Sequence, residues 1–169
     1  MTGEASLSVD GAEILAVTAE AIEAAYSRRA RQLWSFARRL GLDAASAEDV
    51  MQEAFLRAAL QPQGSIVDLD AWLFRVVHNL SVDHTRRHVP PIQMAESEVP
   101  SEVSSSDELL SLWQQVDLLP ERQRLVIYLR FRADLDFQTI ARVLGISEGG
   151  ARANGARGLD SLRRWTTEK

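Results

Sequence analysis

Apolar side chains recur at spacings of three and four residues through most of this 169-residue chain, which is typical of amphipathic α-helices. The clearest pattern runs from Tyr26 to Leu40 and ends at Gly41, a residue type that favours helix termination. Its outer face, which we expect to lie in solvent, carries five arginines: Arg28, Arg29, Arg31, Arg38 and Arg39. No strand-like alternation is sustained, so the pattern predicts an all-α fold.

Two further helices are predicted in the first half of the chain. We expect Ser46 to cap the first of them, because Ser46 and Asp49 have the spacing of a capping box. The next helix is predicted from about Ala71 to Arg87, with Asp68 or Asp70 as its cap. In the second half, a helix from Glu121 to Arg132 is expected to bury Leu125, Val126, Leu129 and Phe131.

The segment 89–106 divides these helices into two groups. It holds three prolines, a serine run and no basic residue, a composition that favours a flexible acidic linker. The linker separates a first domain at 22–88, preceded by an N-terminal extension at 1–21, from a second domain at 107–169. The prediction is therefore two small helical domains joined by a flexible acidic linker.

Residues 136–164 have the pattern of a helix-turn-helix. A short helical pattern containing Ile140 and Leu144 is broken at Gly145, and Ser147 can then cap a longer helix. Helix, glycine-centred turn and helix is the arrangement whose second helix enters the major groove of DNA. An ordinary helical hairpin is the alternative interpretation.

The net charge of −5 is unevenly distributed along the chain. Residues 24–88 hold nine bases and seven acids, and residues 120–169 hold ten bases and six acids. Between these blocks, residues 89–119 hold six acids and no base. Because local charge sets the field that a nucleic acid meets, two mildly basic blocks are compatible with DNA binding despite the acidic total.

Several classes of protein are excluded by what the chain lacks. It has no cysteine, so it forms no disulfide and no cysteine metal site. His84 and His88 have i, i+4 spacing but no carboxylate cluster beside them, so we expect neither a metal nor a cofactor. No apolar run is long enough to cross a bilayer, which predicts a cytoplasmic protein without membrane insertion. No catalytic constellation is present, so an enzyme is not expected.

Two helix faces carry candidate chemistry. The second helix has an outward face of Glu48, Asp49, Gln52, Glu53 and Arg57. Simple solvation, helped by the helix dipole near the start of the helix, accounts for this face. One side of the third helix carries Trp72, Arg75, Asn79, Asp83 and Arg86. The tryptophan could stack on bases of single-stranded DNA, or it could be half-buried among solvated neighbours.

Four blocks in register resemble the extracytoplasmic-function sigma factors of bacterial RNA polymerase, in the sigma-70 family. They are AEDVMQEAFLRA (Ala47 to Ala58), DAWLFRVVHNLSVDHTRR (Asp70 to Arg87), LPERQRLVIYLRF (Leu119 to Phe131) and the helix-turn-helix. The resemblance covers about residues 22–165. It implies a sigma region 2 at 22–88, which binds the polymerase clamp and the promoter −10 element. It also implies a region 4 at 107–169, which binds the polymerase flap and the −35 element.

The resemblance assigns roles to residues that match the family's motifs. The core polymerase-binding residues would be Glu48, Asp49, Gln52, Glu53 and Arg57. The −10 DNA-binding residues would be Trp72, Arg75, Asn79, Asp83, Arg86 and Arg87, with the preceding loop 61–68 capturing a flipped base. The −35 DNA-binding residues would be Gln138, Thr139, Ser147, Arg152, Asn154 and Arg157. An anti-sigma factor is the further partner that the family implies.

Region 4 departs from the family pattern. Five of the nine glycines lie between Gly145 and Gly158, and Gly150 and Ala151 stand where a typical recognition helix has threonine and a β-branched residue. A glycine costs about 1 kcal/mol against alanine inside a helix. We expect Gly155 to thin the packing behind the recognition helix and the readout of DNA to be poor.

These departures leave alternatives open. The leading hypothesis is a promoter-specific sigma subunit. The second is a sigma-fold regulatory protein whose region 4 serves mainly as a docking surface for an anti-sigma factor or another partner. A free-standing helix-turn-helix repressor would leave the acidic face of the second helix unexplained.

Overall fold

The computed structural model describes residues 17–62, 64–88 and 107–167, and all regular secondary structure in these ranges is α-helical. Its seven helices are α1 (Ala19–Arg39), α2 (Ala44–Ala59), α3 (Leu69–His88), α4 (Asp107–Asp117), α5 (Glu121–Phe131), α6 (Phe137–Leu144) and α7 (Glu148–Thr167). The prediction of an all-α fold is confirmed. The predicted linker at 89–106 and the first 16 residues of the predicted N-terminal extension lie outside the described residues.

Helices α1, α2 and α3 pack against one another as a first bundle. Asp43 caps α2 by accepting a hydrogen bond from the main-chain nitrogen of Ser46 at 2.7 Å. The prediction that Ser46 caps this helix is therefore wrong, because α2 already begins at Ala44 and Ser46 lies inside its first turn. Asp68 caps α3 by accepting a hydrogen bond from the main-chain nitrogen of Ala71 at 3.0 Å. Of the two predicted caps, Asp68 and Asp70, the first is therefore confirmed.

Asp70 has a different role at the start of α3. Its carboxylate accepts hydrogen bonds from Arg28 and Arg29 of α1, each at 2.8 Å. Burial opposes ionisation of Asp70, but the two guanidinium groups hold its pKa below the ordinary value. The charged triad therefore joins the start of α3 to α1.

The second bundle is built around α5, whose residues from Leu125 to Leu129 are all buried. Helix α6 ends at Gly145, which has a left-handed φ of 65°. The hydroxyl oxygen of Ser147 then accepts from the nitrogen of Gly150 at 3.0 Å, so Ser147 caps α7 as predicted. Phe131 is 56% exposed, and the prediction that it faces inward is wrong because it is the last residue of α5, where the packed part of the helix has ended.

Helix α7 crosses α5 and α6 closely because two of its inward positions are glycine. A Cβ atom at Gly155 would lie 3.1 Å from Cε1 of Phe137, and one at Gly158 would lie 2.9 Å from Cγ1 of Ile127. The predicted thinning of the packing at Gly155 is therefore wrong. The absent side chains are replaced by a shorter distance between helices, and α7 is continuous from Glu148 to Thr167.

The two bundles meet around Tyr128 of α5, which is 1% exposed. Its ring stacks on Phe36 of α1 with centroids 6.0 Å apart, and its hydroxyl donates to the main-chain carbonyl of Gln32 at 2.9 Å. Burial raises the pKa of Tyr128, so the hydroxyl keeps its proton at neutral pH. Helix α3 also packs against α6, and buried residues of both bundles form one continuous apolar core.

Two arginines predicted to face solvent lie at this boundary instead. The side chain of Arg39 is 7% exposed, lies over the Tyr128 ring at 4.5 Å and donates to Asp117 at 3.1 Å. Arg29 donates to the main-chain carbonyl of Ala133 at 3.1 Å. The prediction is wrong for Arg29 and Arg39 because each also has an acceptor in the other half of the chain, Ala133 or Asp117, which the periodicity of α1 cannot reveal.

The close crossing of α7 gives a test based on glycine substitution. We predict that Gly158→Ala lowers the free energy of unfolding by about 1–2 kcal/mol, because overpacking against Ile127 outweighs the gain in helix propensity. Gly149→Ala is the matched control, since its Cβ would meet open space, and it should raise that free energy by about 0.5 kcal/mol. Chemical denaturation followed by circular dichroism measures both. Equal stabilisation by the two substitutions would contradict the close crossing.

Candidate protein-binding and nucleic-acid-binding surfaces

An acidic face runs along the exposed side of α2. Gln52 donates a side-chain hydrogen bond to Glu48 at 2.9 Å, and Arg57 donates to Glu53 at 2.7 Å. Asp49 is exposed and has no hydrogen-bond or ion-pair partner among the described residues. The five residues predicted to bind a protein partner therefore share one side of a single helix, with a free carboxylate at Asp49.

The predicted DNA-binding residues of α3 differ in their exposure. Trp72 is half-buried and packs against the core, as in the alternative interpretation of this residue. The others are all exposed: Arg75, Asn79, Asp83, Arg86 and Arg87. Arg75, Asn79 and Asp83 follow at steps of four, so they form one line along the helix, and the two arginines of the last turn continue it.

The helix-turn-helix presents its predicted residues unequally. Gln138 is exposed in the first turn of α6, whereas Thr139 is 6% exposed and its hydroxyl oxygen accepts from Arg142 at 3.4 Å. Thr139 therefore does not offer its hydroxyl to a ligand in this structure. Asp136 caps α6 by accepting from the nitrogen of Thr139 at 2.7 Å, and this hydrogen bond lowers the pKa of Asp136.

The exposed face of α7 carries two of the predicted arginines. Arg152 forms an ion pair with Glu148 at 2.6 Å and lies over the Phe137 ring at 5.1 Å. Arg157 is exposed and unpaired among the described residues. The amide of Asn154 donates one of its two N–H hydrogens to the main-chain carbonyl of Gly150 at 2.8 Å, and the side chain is half-buried.

The three predicted surfaces lie on separate elements and do not converge on one pocket. A shallow groove beside α7 is lined by Gln123, Arg157, Asp160, Ser161, Arg163 and Arg164. The prediction included only Arg157 of this groove. Arg163 and Arg164 were missed because they lie beyond the part of the helix that a groove-reading motif contacts, although their charge and spacing were visible in the sequence.

The described residues offer no feature of a metal site or a membrane span. The rings of His84 and His88 stack with centroids 4.4 Å apart, and no cluster of three metal-type side chains occurs in the described ranges. None of the helices in those ranges combines the length and apolar character needed to cross a bilayer.

Two family profiles match the two bundles. Residues 25–89 match Sigma-70 region 2, and residues 116–164 match Sigma-70, region 4. The ECF RNA polymerase sigma factor SigL of Mycobacterium tuberculosis (strain H37Rv) is 32% identical over 88% of this chain and 90% of its own length. The ECF RNA polymerase sigma factor SigW of Bacillus subtilis (strain 168) is 29% identical over 70% of this chain and 74% of its own.

Solved structures show the same fold. The sigma factor RpoE, in complex with the anti-sigma factor NepR from Bartonella quintana, aligns with a TM-score of 0.63 at 18% identity, over 88% of this chain and 98% of that one. CnrH, in complex with the cytosolic domain of CnrY, aligns with a TM-score of 0.58 at 23% identity, over 90% and 91%. From the paired bundles, the helix-turn-helix and these relatives, we conclude that the chain belongs to the extracytoplasmic-function RNA polymerase sigma factors of the sigma-70 family.

Proposed function

We propose that this protein directs core RNA polymerase to promoter DNA from the cytoplasm and has no catalytic activity of its own. The observation that carries the proposal is the separation of two surfaces on the first bundle. The acidic face of α2 and the line of Arg75, Asn79 and Asp83 on α3 lie on different helices. One bundle can therefore hold a protein and a nucleic acid at the same time, as an initiation factor must.

In this proposal the acidic face of α2 binds the polymerase clamp. Charges that are complementary across an interface accelerate association and suppress wrong partners. Asp49 carries most of this effect, because its carboxylate is not neutralised by an intramolecular partner, whereas Glu53 already pairs with Arg57.

Promoter contacts are divided between α3 and α7. Arg75 and Asn79 can contact bases of a melted strand, supported by the exposed part of Trp72, while Arg86 and Arg87 contact phosphates. In region 4, Arg157 is the group best placed to contact the −35 element. Arg152 contributes less, because it must first leave Glu148.

The packed arrangement of the two bundles cannot contact both promoter elements together. Elements centred at −10 and −35 lie about 85 Å apart at 3.4 Å per base pair. A compact unit of about 130 residues has a radius of gyration of only about 14 Å. The 18-residue segment 89–106 can span at most roughly 60 Å. Promoter binding therefore requires the Tyr128 boundary to open and the bundles to separate.

A docking role for region 4 is the second candidate. RpoE is seen in complex with the anti-sigma factor NepR, and CnrH is seen in complex with the cytosolic domain of CnrY. The exposed Gly149 and the small Ala156 leave much of the outer face of α7 without long side chains, which suits a protein surface as well as DNA. An anti-sigma factor that holds the bundles together would keep this chain from promoters.

The decisive experiment is transcription of genomic DNA by core polymerase with and without the protein. Sequencing of the RNA 5′ ends should show new start sites that share upstream elements near −10 and −35. Start sites that are the same with and without the protein would contradict the proposed function.

The clamp contact gives a first prediction. Asp49→Lys should weaken core polymerase binding at least tenfold in a fluorescence anisotropy titration, because it inverts a charge of the acidic face that has no basic partner. Glu23→Lys is the matched control, since Glu23 is exposed on α1 and outside that face. Wild-type affinity of the Asp49 variant would exclude α2 as the clamp-binding helix.

The −35 contact gives a second prediction. Arg157→Ala should weaken binding to promoter DNA and reduce the slope of log K against log salt by about 0.9, the effect of one lost phosphate contact. Asn154→Ala should leave the base preference unchanged, because the amide is half-buried and held against the helix by its bond to Gly150. Arg122→Ala, on the exposed side of α5, is the control for general loss of charge. An unchanged slope for Arg157→Ala would favour the docking role.

The required opening gives a third prediction. Because the chain lacks cysteine, dyes can be attached through Ala59→Cys and Thr167→Cys for single-molecule energy transfer. Arg39→Gln removes the ion pair with Asp117 and should raise the open-to-closed ratio roughly tenfold.

Arg28→Gln is the control for that experiment. Arg28 pairs with Asp70 inside the first bundle, so its replacement should leave the ratio unchanged. If Arg39→Gln and Arg28→Gln give the same distribution, the Arg39 contact does not hold the bundles together.

A further inference from the structure

A histidine lies where α3 meets the second bundle. His78 of α3 stacks on Phe36 of α1, with ring centroids 6.5 Å apart and an angle of 26° between the planes. The same Phe36 ring stacks on Tyr128 of α5. Three rings from three helices therefore form one row across the boundary between the bundles, and His78 is the member of the row whose charge can change near neutral pH.

The surroundings of His78 favour the neutral ring. The residue is half-buried, but its Nδ1 atom is enclosed and has no hydrogen-bond partner among the described residues. A protonated imidazole needs an acceptor for each of its two N–H groups. Burial lowers the pKa of His78, against the smaller opposing effects of a side-chain hydrogen bond with Asn79 and of the Glu121 carboxylate. The packed protein therefore disfavours a proton on this ring.

Glu121, the first residue of α5, is the charged group that acts on the His78 ring. The charged residues of α2 lie on its acidic face, away from its buried residues, and Asp43 before α2 acts on His84 instead. The other charged groups of the neighbouring helices at this boundary are held by partners of their own: Arg29 and Arg39 of α1, Arg124 of α5 and Arg142 of α6.

We propose that His78 is an acid-sensitive switch whose protonation releases the two bundles from each other. Separation takes α5 and α6 away from α3, so water reaches the ring and can accept from both N–H groups. The proton therefore binds more tightly to the open protein than to the packed one. By linkage, a fall in pH shifts the population toward the open form. This inference rests on the proposed function, in which promoter contact requires that opening.

The pH window of the switch follows from the two states of the ring. In the open protein the solvated ring titrates near the ordinary histidine pKa of about 6.5. Above that pH both states hold a neutral ring, and the packed state keeps its full stability. Below it the open state takes up the proton more readily, so the open-to-closed ratio rises. One pH unit below the ordinary value, the largest possible rise is about tenfold.

Asp117 acts in the opposite direction at the same boundary. Burial raises the pKa of its carboxyl in the packed state, so protonation of Asp117 favours packing. Opening at mildly acidic pH must therefore come from another group, and a variant that lacks the His78 proton isolates its contribution.

The test is the open-to-closed ratio at pH values of about 7.5 and 5.5, measured by energy transfer between dyes at Ala59→Cys and Thr167→Cys. With His78 intact, the ratio should rise on acidification by more than about twofold and by no more than about tenfold. His78→Phe keeps a ring that cannot take up a proton, and His78→Gln keeps a polar group, so neither should show the rise. Glu121→Gln should enlarge the rise, because it removes the carboxylate that supports a charged ring in the packed state.

The matched control is the double variant His84→Gln, His88→Gln. These two histidines lie near the end of the same helix and stack on each other, so the double variant should keep the full rise. A proton NMR titration gives an independent measurement. The pKa of His78 should lie below the ordinary value in the wild type and move toward it in Arg39→Gln, which favours the open form.

A ratio that does not rise with acid would overturn the inference, and so would a rise that persists in both His78 variants. Neither outcome decides the proposed function, because transcription start sites are mapped near neutral pH, where the His78 ring is uncharged in both states. Start sites that depend on the protein, together with a ratio that does not respond to pH, would refute the switch alone.

Discussion

The hydroxyl and ring of Tyr128 connect the two halves of this protein and, with the packing of α3 against α6, set how the surfaces of one bundle lie relative to those of the other. The hydroxyl has one acceptor, the main-chain carbonyl of Gln32, and the ring lies between Phe36 and the guanidinium of Arg39. All three partners belong to α1, and the carbonyl and the guanidinium would otherwise need water. Because burial raises the pKa of Asp117 despite its arginine partners, the carboxylate that supports Arg39 is also partly desolvated. The boundary is therefore polar at its edge and aromatic at its centre, a composition suited to a contact that can be broken.

Helix content, the helix-turn-helix and the turn at Gly145 could be predicted from local pattern, because each is set by neighbours within about four residues. The helix caps were harder to predict from the sequence. Asp43 and Ser46 are both residue types that cap helices, and the choice depends on the residue at which the helix begins. The boundary between the bundles could not be predicted at all. Arg39 has the spacing of a solvent-facing residue on α1, and its partners lie more than 70 residues away in the chain. In the candidate site, the helical spacing correctly predicted which residues of α2 and α3 are exposed. It failed for Thr139, which is buried, because a short helix between two others has little free surface.

The packed state leaves region 2 partly available. Asp49, Leu56 and Leu60 are exposed although the bundles are in contact, and so are Arg75 and Asn79. A partner that recognises α2 can therefore bind before the bundles separate. Contact with both promoter elements needs separated bundles. The free energy required to separate them is therefore subtracted from the free energy of binding polymerase and DNA. A boundary that is too stable would give a protein that binds polymerase without initiating.

The glycines of α7 also bear on how promoter preference can diverge in descendants of this protein. A side chain at position 155 or 158 would collide with Phe137 or Ile127. Residues larger than glycine at these two positions would therefore destabilise the fold and be selected against. The outer positions 152, 156 and 157 are exposed, and their recorded contacts are those of Arg152 with Glu148 and with the Phe137 ring. Variation at those three positions is nearly free of cost to stability. If these positions contact the −35 element as proposed, a lineage could exchange one −35 sequence for another in a few steps while α7 keeps the same place against the bundle.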